Sequence, residues 1–352
     1  MKNRTMKLLA LALTLALLTM GTARAETLSV ADVYERVCRS VVQVRNMAET
    51  WSPDNGATVE MALSASGVVI AEDFVLTNWH VVYEADYMEI ETLDGQIVRA
   101  KDVYTDESLD LAVLALSEPL KGVTPVTMGD STAVRTGDLA ISIGYPVLED
   151  IVFPATLTVG YISGLNRNSE NMGNFTRDVP LIQFDAALNN GGSGGGLFNA
   201  AGELIGLSTL KGGLTDDIVY ENLGLAIPTA TIERVAGDLM AYGVVKRPRM
   251  GVMVSDLDGP EEPIRTYPPA GLLASEVDPD GPAGQAGMED YDVIVEFDGV
   301  RVHTFNELSA LLDTHAAGDV VRVKVYRCLD EEGYLIDNPE YIEMDITLGI
   351  LD

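Results

Sequence analysis

Asn189-Asn190-Gly191-Gly192-Ser193-Gly194-Gly195-Gly196 is the stretch on which the reading of this chain turns. A Gly-rich run is commonly a flexible linker. Here, however, the strand-like runs 181–184 and 197–198 close in on it from both sides. A confined loop with one hydroxyl among glycines suits a different purpose. Backbone amides approach a reacting carbonyl closely only where Cβ atoms are absent, and two such amides can stabilise an oxyanion. Taken alone, the loop leaves both readings open.

A serine at its ordinary pKa needs a base before it can attack anything. The histidines are His80, His303 and His315, so His80 alone precedes residue 303. It follows the apolar run 74–76 in Thr77-Asn78-Trp79-His80. A lone histidine beside such a run is ordinarily a satisfied core residue, and the serine loop alters that reading. The base in turn needs a buried acceptor to hold its tautomer. Asp110 stands at the mouth of Leu111-Ala112-Val113-Leu114, whereas its rival Asp106 lies back in a polar loop. Gly191-x-Ser193-x-Gly195 also fits a nucleophile elbow, but that class runs Ser, acid, His and needs a strand–turn–helix setting. The order here is His80, Asp110, Ser193, and a base from His303 or His315 would come from beyond a domain boundary.

From 40 to 227 the chain reads as short strands: 41–44, 67–70, 88–91, 111–116, 139–143, 181–184 and 203–208. Asp94-Gly95 signals a two-residue hairpin with positive φ at both positions. Many short strands with Gly-rich turns predict a barrel or sandwich, not alternating βαβ units. Beyond Pro228, Ile232, Val235, Leu239 and Tyr242 recur at helical spacing, with Gly243 as the stop. Lys246 to Arg249 form a short basic linker around Pro248, which marks the boundary. Strand-like runs then follow at 251–254, 272–277, 293–297 and 320–326. Thr304 and Glu307 form a capping box for a helix whose apolar face is Phe305, Leu308, Leu311 and Leu312.

Residues 1–25 combine Lys2, Arg4 and Lys7, an apolar run from Leu8 to Met20, and Ala23-Arg24-Ala25, the pattern of a cleaved export signal. The apolar run is short for a spanning helix, so no stable membrane span is expected after cleavage. The formal net charge is −31, and removal of a leader with four cations and no acid makes it more negative still. Such a field repels phosphate backbones and excludes nucleic acid as a partner. Cys38 and Cys328 fall on opposite sides of the boundary, and no bridge between them is expected. Two cysteines and three histidines provide no metal-site spacing.

A specific resemblance now emerges. Ser66-Gly67-Val68-Val69-Ile70, Leu76-Thr77-Asn78-Trp79-His80-Val81-Val82, Asp110-Leu111-Ala112-Val113 and Asp185-Ala186-Ala187-Leu188-Asn189-Asn190-Gly191-Gly192-Ser193-Gly194-Gly195 resemble successive signatures of the HtrA (Deg-type) proteases. Leu223-Gly224-Leu225-Ala226-Ile227-Pro228 is similar to the next. The resemblance implies a mainly β fold: a two-barrel chymotrypsin-like protease domain over 26–246, then one α+β PDZ domain over 247–350. It implies His80, Asp110 and Ser193 as a triad, with Gly191, Gly192 and Ser193 offering oxyanion amides. Where the family usually has Asn before the serine, this chain has Gly192, which would allow the loop to collapse at rest. Leu188 and the segment from Thr209 to Leu223 match the primary pocket, implying small or medium apolar side chains. Arg167 falls near the family's activation-sensing loop or is a solvated loop charge.

Arg249-Met250-Gly251-Val252 resembles a PDZ carboxylate-binding turn and groove strand, and Leu308 and Leu312 either line its side-chain pocket or pack in the core. Gly281-Pro282-Ala283-Gly284-Gln285-Ala286-Gly287-Met288 and Asp292-Val293-Ile294 match later landmarks. Tyr291 stands where a glycine is usual, so a different turn is expected there. The implied function is endopeptidase action on unfolded or damaged exported proteins, with C-terminal peptides at the PDZ groove, no cofactor or metal, and a homotrimeric assembly. Localisation would be periplasmic or extracellular. The competing class is a protease-like chaperone or peptide sensor with little turnover.

Overall fold

The computed structural model describes residues 28–52, 56–169, 175, 177, 179–209, 222–264, 267–329 and 334–350. The expected leader and most of the segment from Thr209 to Leu223 lie outside the described residues. The described residues form two compact units, one falling within 1–103, 112–167 and 180–233, the other within 104–111, 168–179 and 234–352.

The first unit holds two closed six-stranded barrels. The first barrel contains β1 (Val41–Ser52), β2 (Gly56–Ala71), β3 (Phe74–Thr77), β4 (Tyr87–Glu91), β5 (Ile97–Asp106) and β6 (Leu111–Leu116), in the order β1-β2-β3-β6-β5-β4. Closure leaves no unpaired edge. β-branched residues dominate its core, among them Val42, Val44, Val69, Val75 and Ile90, because branched side chains pack well on a pleated surface. Gly67 is needed here, since a Cβ would lie 2.7 Å from methyls of both Val44 and Val75.

The β4–β5 connection differs from expectation. Gly95 donates its amide to the Thr92 carbonyl, and Thr92 to that of Gln96, with positive φ at Gly95 and not at Asp94. Leu93, Asp94 and Gly95 therefore form a three-residue loop, a turn completed by one left-handed glycine, not a two-residue turn.

The second barrel is built from β7 (Leu139–Gly144), β10 (Thr156–Arg167), β11 (Leu181–Phe184), β12 (Gly196–Phe198), β13 (Leu204–Thr209) and β14 (Gly224–Pro228). A small hairpin, β8 (Val147–Leu148) with β9 (Ile151–Val152), projects from it. Ile162, Ile182, Phe184, Leu197 and Ile205 fill the interior. The helix Thr229–Tyr242 follows and buries Ile232, Val235 and Leu239. Gly243 ends it in a left-handed conformation, donating to the Leu239 carbonyl, as a C-terminal glycine does. Tyr242 is 57% exposed and stays off the buried face.

The second unit carries a sheet of β16 (Val252–Leu257), β17 (Gly271–Val277), β18 (Val293–Phe297), β20 (Val320–Leu329) and β21 (Leu335–Thr347), in that order. β19 (Val300–Arg301) pairs with β18, and β15 (Pro248–Arg249) with β22 (Gly349–Ile350). The helix Phe305–Leu312 has the expected capping box, with Thr304 and Glu307 satisfying each other's amides. Leu308 is buried in the core with Leu272, Ile294, Phe297 and Val323.

Tyr291 departs from expectation in an instructive way. It keeps a left-handed φ of 68° and donates its amide to Ala274 at 2.7 Å. The turn is retained, and the tyrosine bears its strain. Beside it Asp292 is buried and takes two hydrogen bonds of 2.8 Å from the Arg327 guanidinium. Cys38 and Cys328 are both buried free thiols.

Candidate active site

Ser193 sits in a loop made of two successive turns. The Gly192 amide donates to the Asn189 carbonyl at 2.8 Å, and the Gly195 amide to the Gly192 carbonyl at 3.0 Å. The third residue of each turn, Gly191 and Gly194, has positive φ, at 82° and 79°. Neither position has room for a side chain. A Cβ on Gly191 would lie 2.5 Å from the Tyr145 carbonyl oxygen, and one on Gly194 2.1 Å from that of Ser66. The glycines are therefore a packing requirement, which a linker would not impose.

These bonds decide which amides are available. Gly192, expected to offer an oxyanion amide, spends its N–H inside the loop on the Asn189 carbonyl. Gly191 and Ser193 remain. The Asn190 carbonyl accepts from Val147 at 2.7 Å, and the Gly192 carbonyl from Gly195. In a planar trans peptide the N–H points opposite to the C=O, so the amides of Gly191 and Ser193 face away from those donors.

The loop is tied to the first barrel. Ser66, on β2, donates its amide to the Ser193 carbonyl at 2.9 Å. The Ser66 carbonyl accepts from Thr77 Oγ1 at 2.8 Å, at the end of β3. Three residues further on lies half-buried His80, on a single helical turn, Trp79–Val82, anchored by buried Val81 and Val82. The β3–β6 register pairs Thr77 with Ala112. The chain thus leaves β3 toward His80 and enters β6 from Asp110 at the same end of the ladder. Asp110 is fully buried and left-handed, with φ 53°, a conformation aspartate tolerates better than most residues. Its rival Asp106 is buried too, but its carboxylate is engaged by the Arg247 guanidinium and by Ser108 Oγ at 2.7 Å.

Leu188 packs against the second-barrel core, and its δ-methyl would lie 2.6 Å from a Cβ on Gly192. Leu223, half-buried, directly precedes β14. Arg167 is held on the barrel surface, donating to Gln183 Oε1 at 2.8 Å. Among the described residues no cluster of three or more His, Cys, Asp or Glu could hold a metal ion, and no helix is long and apolar enough to cross a membrane.

In the second unit, Arg249, Met250, Gly251, Val252 and Leu308 line one cavity of about 670 Å³, with Phe305 and Leu312 beside them. Leu308 serves core and cavity at once. Ala283 donates to the Met250 carbonyl at 2.7 Å and Asp278 to that of Gly251 at 3.0 Å. By the same peptide geometry the amides of Gly251 and Val252 turn the other way. β16 is an edge strand, a template for an added peptide strand. Sequence reasoning passed over Arg177, which donates to Ser309 Oγ within this unit. Burial lowers its pKa. A lone basic residue carries no pattern that would have singled it out.

Two barrels with a glycine-bound serine loop, followed by a sheet with an open edge and a capped helix, define a trypsin-like serine peptidase joined to a PDZ domain. The trypsin-like peptidase domain family matches residues 65–207, and the PDZ domain family residues 248–337. The serine protease Do-like HtrA of Bacillus subtilis is 32% identical over 324 residues, covering 85% of this chain and 70% of the relative. The periplasmic serine endoprotease DegP of Escherichia coli is 35% identical over 273 residues, and the match spans 76% of this chain but 55% of that relative. The solved structure of HtrA-type protease AlgW with decapeptide superposes with a TM-score of 0.72 at 27% identity, covering 92% of this chain and 99% of that one. The chain belongs to the HtrA family of serine proteases.

Proposed function

We propose that this chain is an exported endopeptidase that hydrolyses unfolded or damaged proteins, with Ser193 as nucleophile, His80 as base and Asp110 as the acid that orients it. The observation that carries the reading is the paired turn, which presents Ser193 between glycines and leaves the amides of Gly191 and Ser193 unused by the loop itself. Ser193 Oγ attacks the peptide carbonyl while His80 takes its proton. The two amides receive the developing oxyanion, where preorganised donors act most strongly. His80 then gives the proton to the leaving amine, the buried Asp110 carboxylate stabilises the imidazolium, and water resolves the acyl-enzyme.

The protease domain would span 26–246 after leader removal at Ala25, and the PDZ domain 247–350. Its cavity would take extended C-terminal peptides, with the Gly251 and Val252 amides and Arg249 receiving the carboxylate. A homotrimer and a periplasmic or extracellular location complete the proposal, the periplasm being named for the DegP relative.

Incubation of the mature chain with unfolded casein tests the chemistry. Cleavage should occur, vanish in Ser193→Ala, and be blocked by a fluorophosphonate that labels Ser193. A wild-type chain that binds peptide but neither cleaves casein nor takes the label would sink the proposal.

A further inference from the structure

Ser66 has no role in the proposed reaction, yet its side chain and backbone are all engaged beside the site. Its hydroxyl accepts from the Tyr145 amide at 2.8 Å and donates to the Gly191 carbonyl at 2.6 Å. Its amide donates to Ser193, and its carbonyl accepts from Thr77. The residue is fully buried, so no water stands ready to replace these bonds. Every polar group of Ser66 is therefore committed, and two of its four bonds go to the nucleophile loop.

The Gly191 carbonyl belongs to the peptide joining Gly191 to Gly192. Rotating that peptide changes ψ of Gly191 and φ of Gly192 together, and both residues lack the Cβ that would resist. A side chain in place of Gly192 would stiffen one of these two angles. In this chain the stiffness must come from bonding: Asn189 holds the N–H of that peptide, and Ser66 holds its C=O. On the other side of Gly191, Val147 holds the preceding peptide. Gly191 is thus clamped on both flanks, and the direction of its own amide follows.

We propose that Ser66 is a positioning residue for the oxyanion amides, its hydroxyl locking the Gly191–Gly192 peptide that glycine leaves free to turn. The inference rests on the serine-protease reading above. Without the hydroxyl, the Gly191 carbonyl and the Tyr145 amide both lose a buried partner. Buried polar groups seek replacements, and the Gly-Gly peptide can rotate to find one. The cost then falls on the transition state, where the oxyanion develops, and not on ground-state binding.

Three readouts on Ser66→Ala and Ser66→Cys, in the full mature chain, test this. Removal of one oxyanion donor lowers kcat by about 10²–10³-fold, and misplacing one should lower it by roughly 10–100-fold. KM for a casein-derived peptide should stay within about 2-fold. Affinity for a peptidyl boronate, which builds the tetrahedral anion, should fall in parallel with kcat/KM, while affinity for a C-terminal peptide at the PDZ groove stays unchanged. Cysteine keeps a weaker donor and acceptor, so Ser66→Cys should recover part of the loss; it also serves if the alanine variant does not fold. The proposal is overturned if Ser66→Ala keeps wild-type kcat. It is equally overturned if KM and boronate affinity change together with thermal stability alone, or if Ser66→Cys turns over at the full rate. Absence of wild-type cleavage and labelling would instead remove the protease reading beneath it.

Discussion

Gly194→Ala isolates how much of the site depends on one missing methyl. Gly194 has φ 79°, and a Cβ there would stand 2.1 Å from the Ser66 carbonyl oxygen and 2.4 Å from Thr77 Oγ1. A left-handed non-glycine residue costs about 1–2 kcal/mol, and forced overpacking adds about 1–3 kcal/mol. The sum, about 2–5 kcal/mol, corresponds to a fall of roughly 4–20 °C in Tm, at about 2–4 °C per kcal/mol for a domain of this size. Gly95→Ala is the control. Its φ is 81°, but no atom lies within 4 Å of the added methyl, so only the conformational cost of about 1–2 kcal/mol applies. Because Ser66, whose carbonyl is displaced, also donates its amide to the Ser193 carbonyl, fluorophosphonate labelling should slow by about 100-fold in Gly194→Ala and remain at the wild-type rate in Gly95→Ala. Equal Tm values for the two variants, with equal labelling, would refute the steric account of the loop.

The remaining predictions concern the second unit. Arg327→Ala leaves the buried Asp292 carboxylate without its paired hydrogen bonds, and urea denaturation should show a loss of about 3–5 kcal/mol. Tyr291→Gly relieves a left-handed tyrosine and should gain about 1 kcal/mol after the entropy of an added glycine is subtracted; a loss in the same melt would contradict the strain. Burial pushes the Cys328 thiol up to about 11, so it should resist a disulfide reagent at pH 8 until the chain is unfolded. Because its folded pKa lies above the unfolded value, its contribution is fully present at neutral pH. That contribution should decline between about pH 9 and about pH 11, a trend that a Cys328→Ala variant should lose.

The chain's pattern carried the class of the protein and named the residues of the candidate site. Gly191 to Gly196 around one serine, a single histidine before residue 303, and an aspartate at the mouth of an apolar strand are local signals. They stay local because each reflects what its own backbone or immediate neighbours require. The Thr304 capping box and the Gly243 stop are of the same kind, satisfying donors and acceptors within four residues. Arg249, Met250, Gly251, Val252 and Leu308 line one cavity.

Tertiary structure decided whatever depends on a partner brought from far along the chain. The peptides on either side of Gly191 could not be seen to be held from outside the loop until Val147 met Asn190 and Ser66 met Gly191. Asp106 looked like a loop residue until Arg247, 141 positions away, engaged it. Tyr291 kept a turn that sequence preference gives to glycine, because its amide had Ala274 to bind. Ser66 read as one letter of a strand, and its hydroxyl lies 125 positions from the carbonyl it holds. A hydrogen bond acts over about 3 Å and leaves no periodicity in sequence, so such partners became visible only where the fold brought them together.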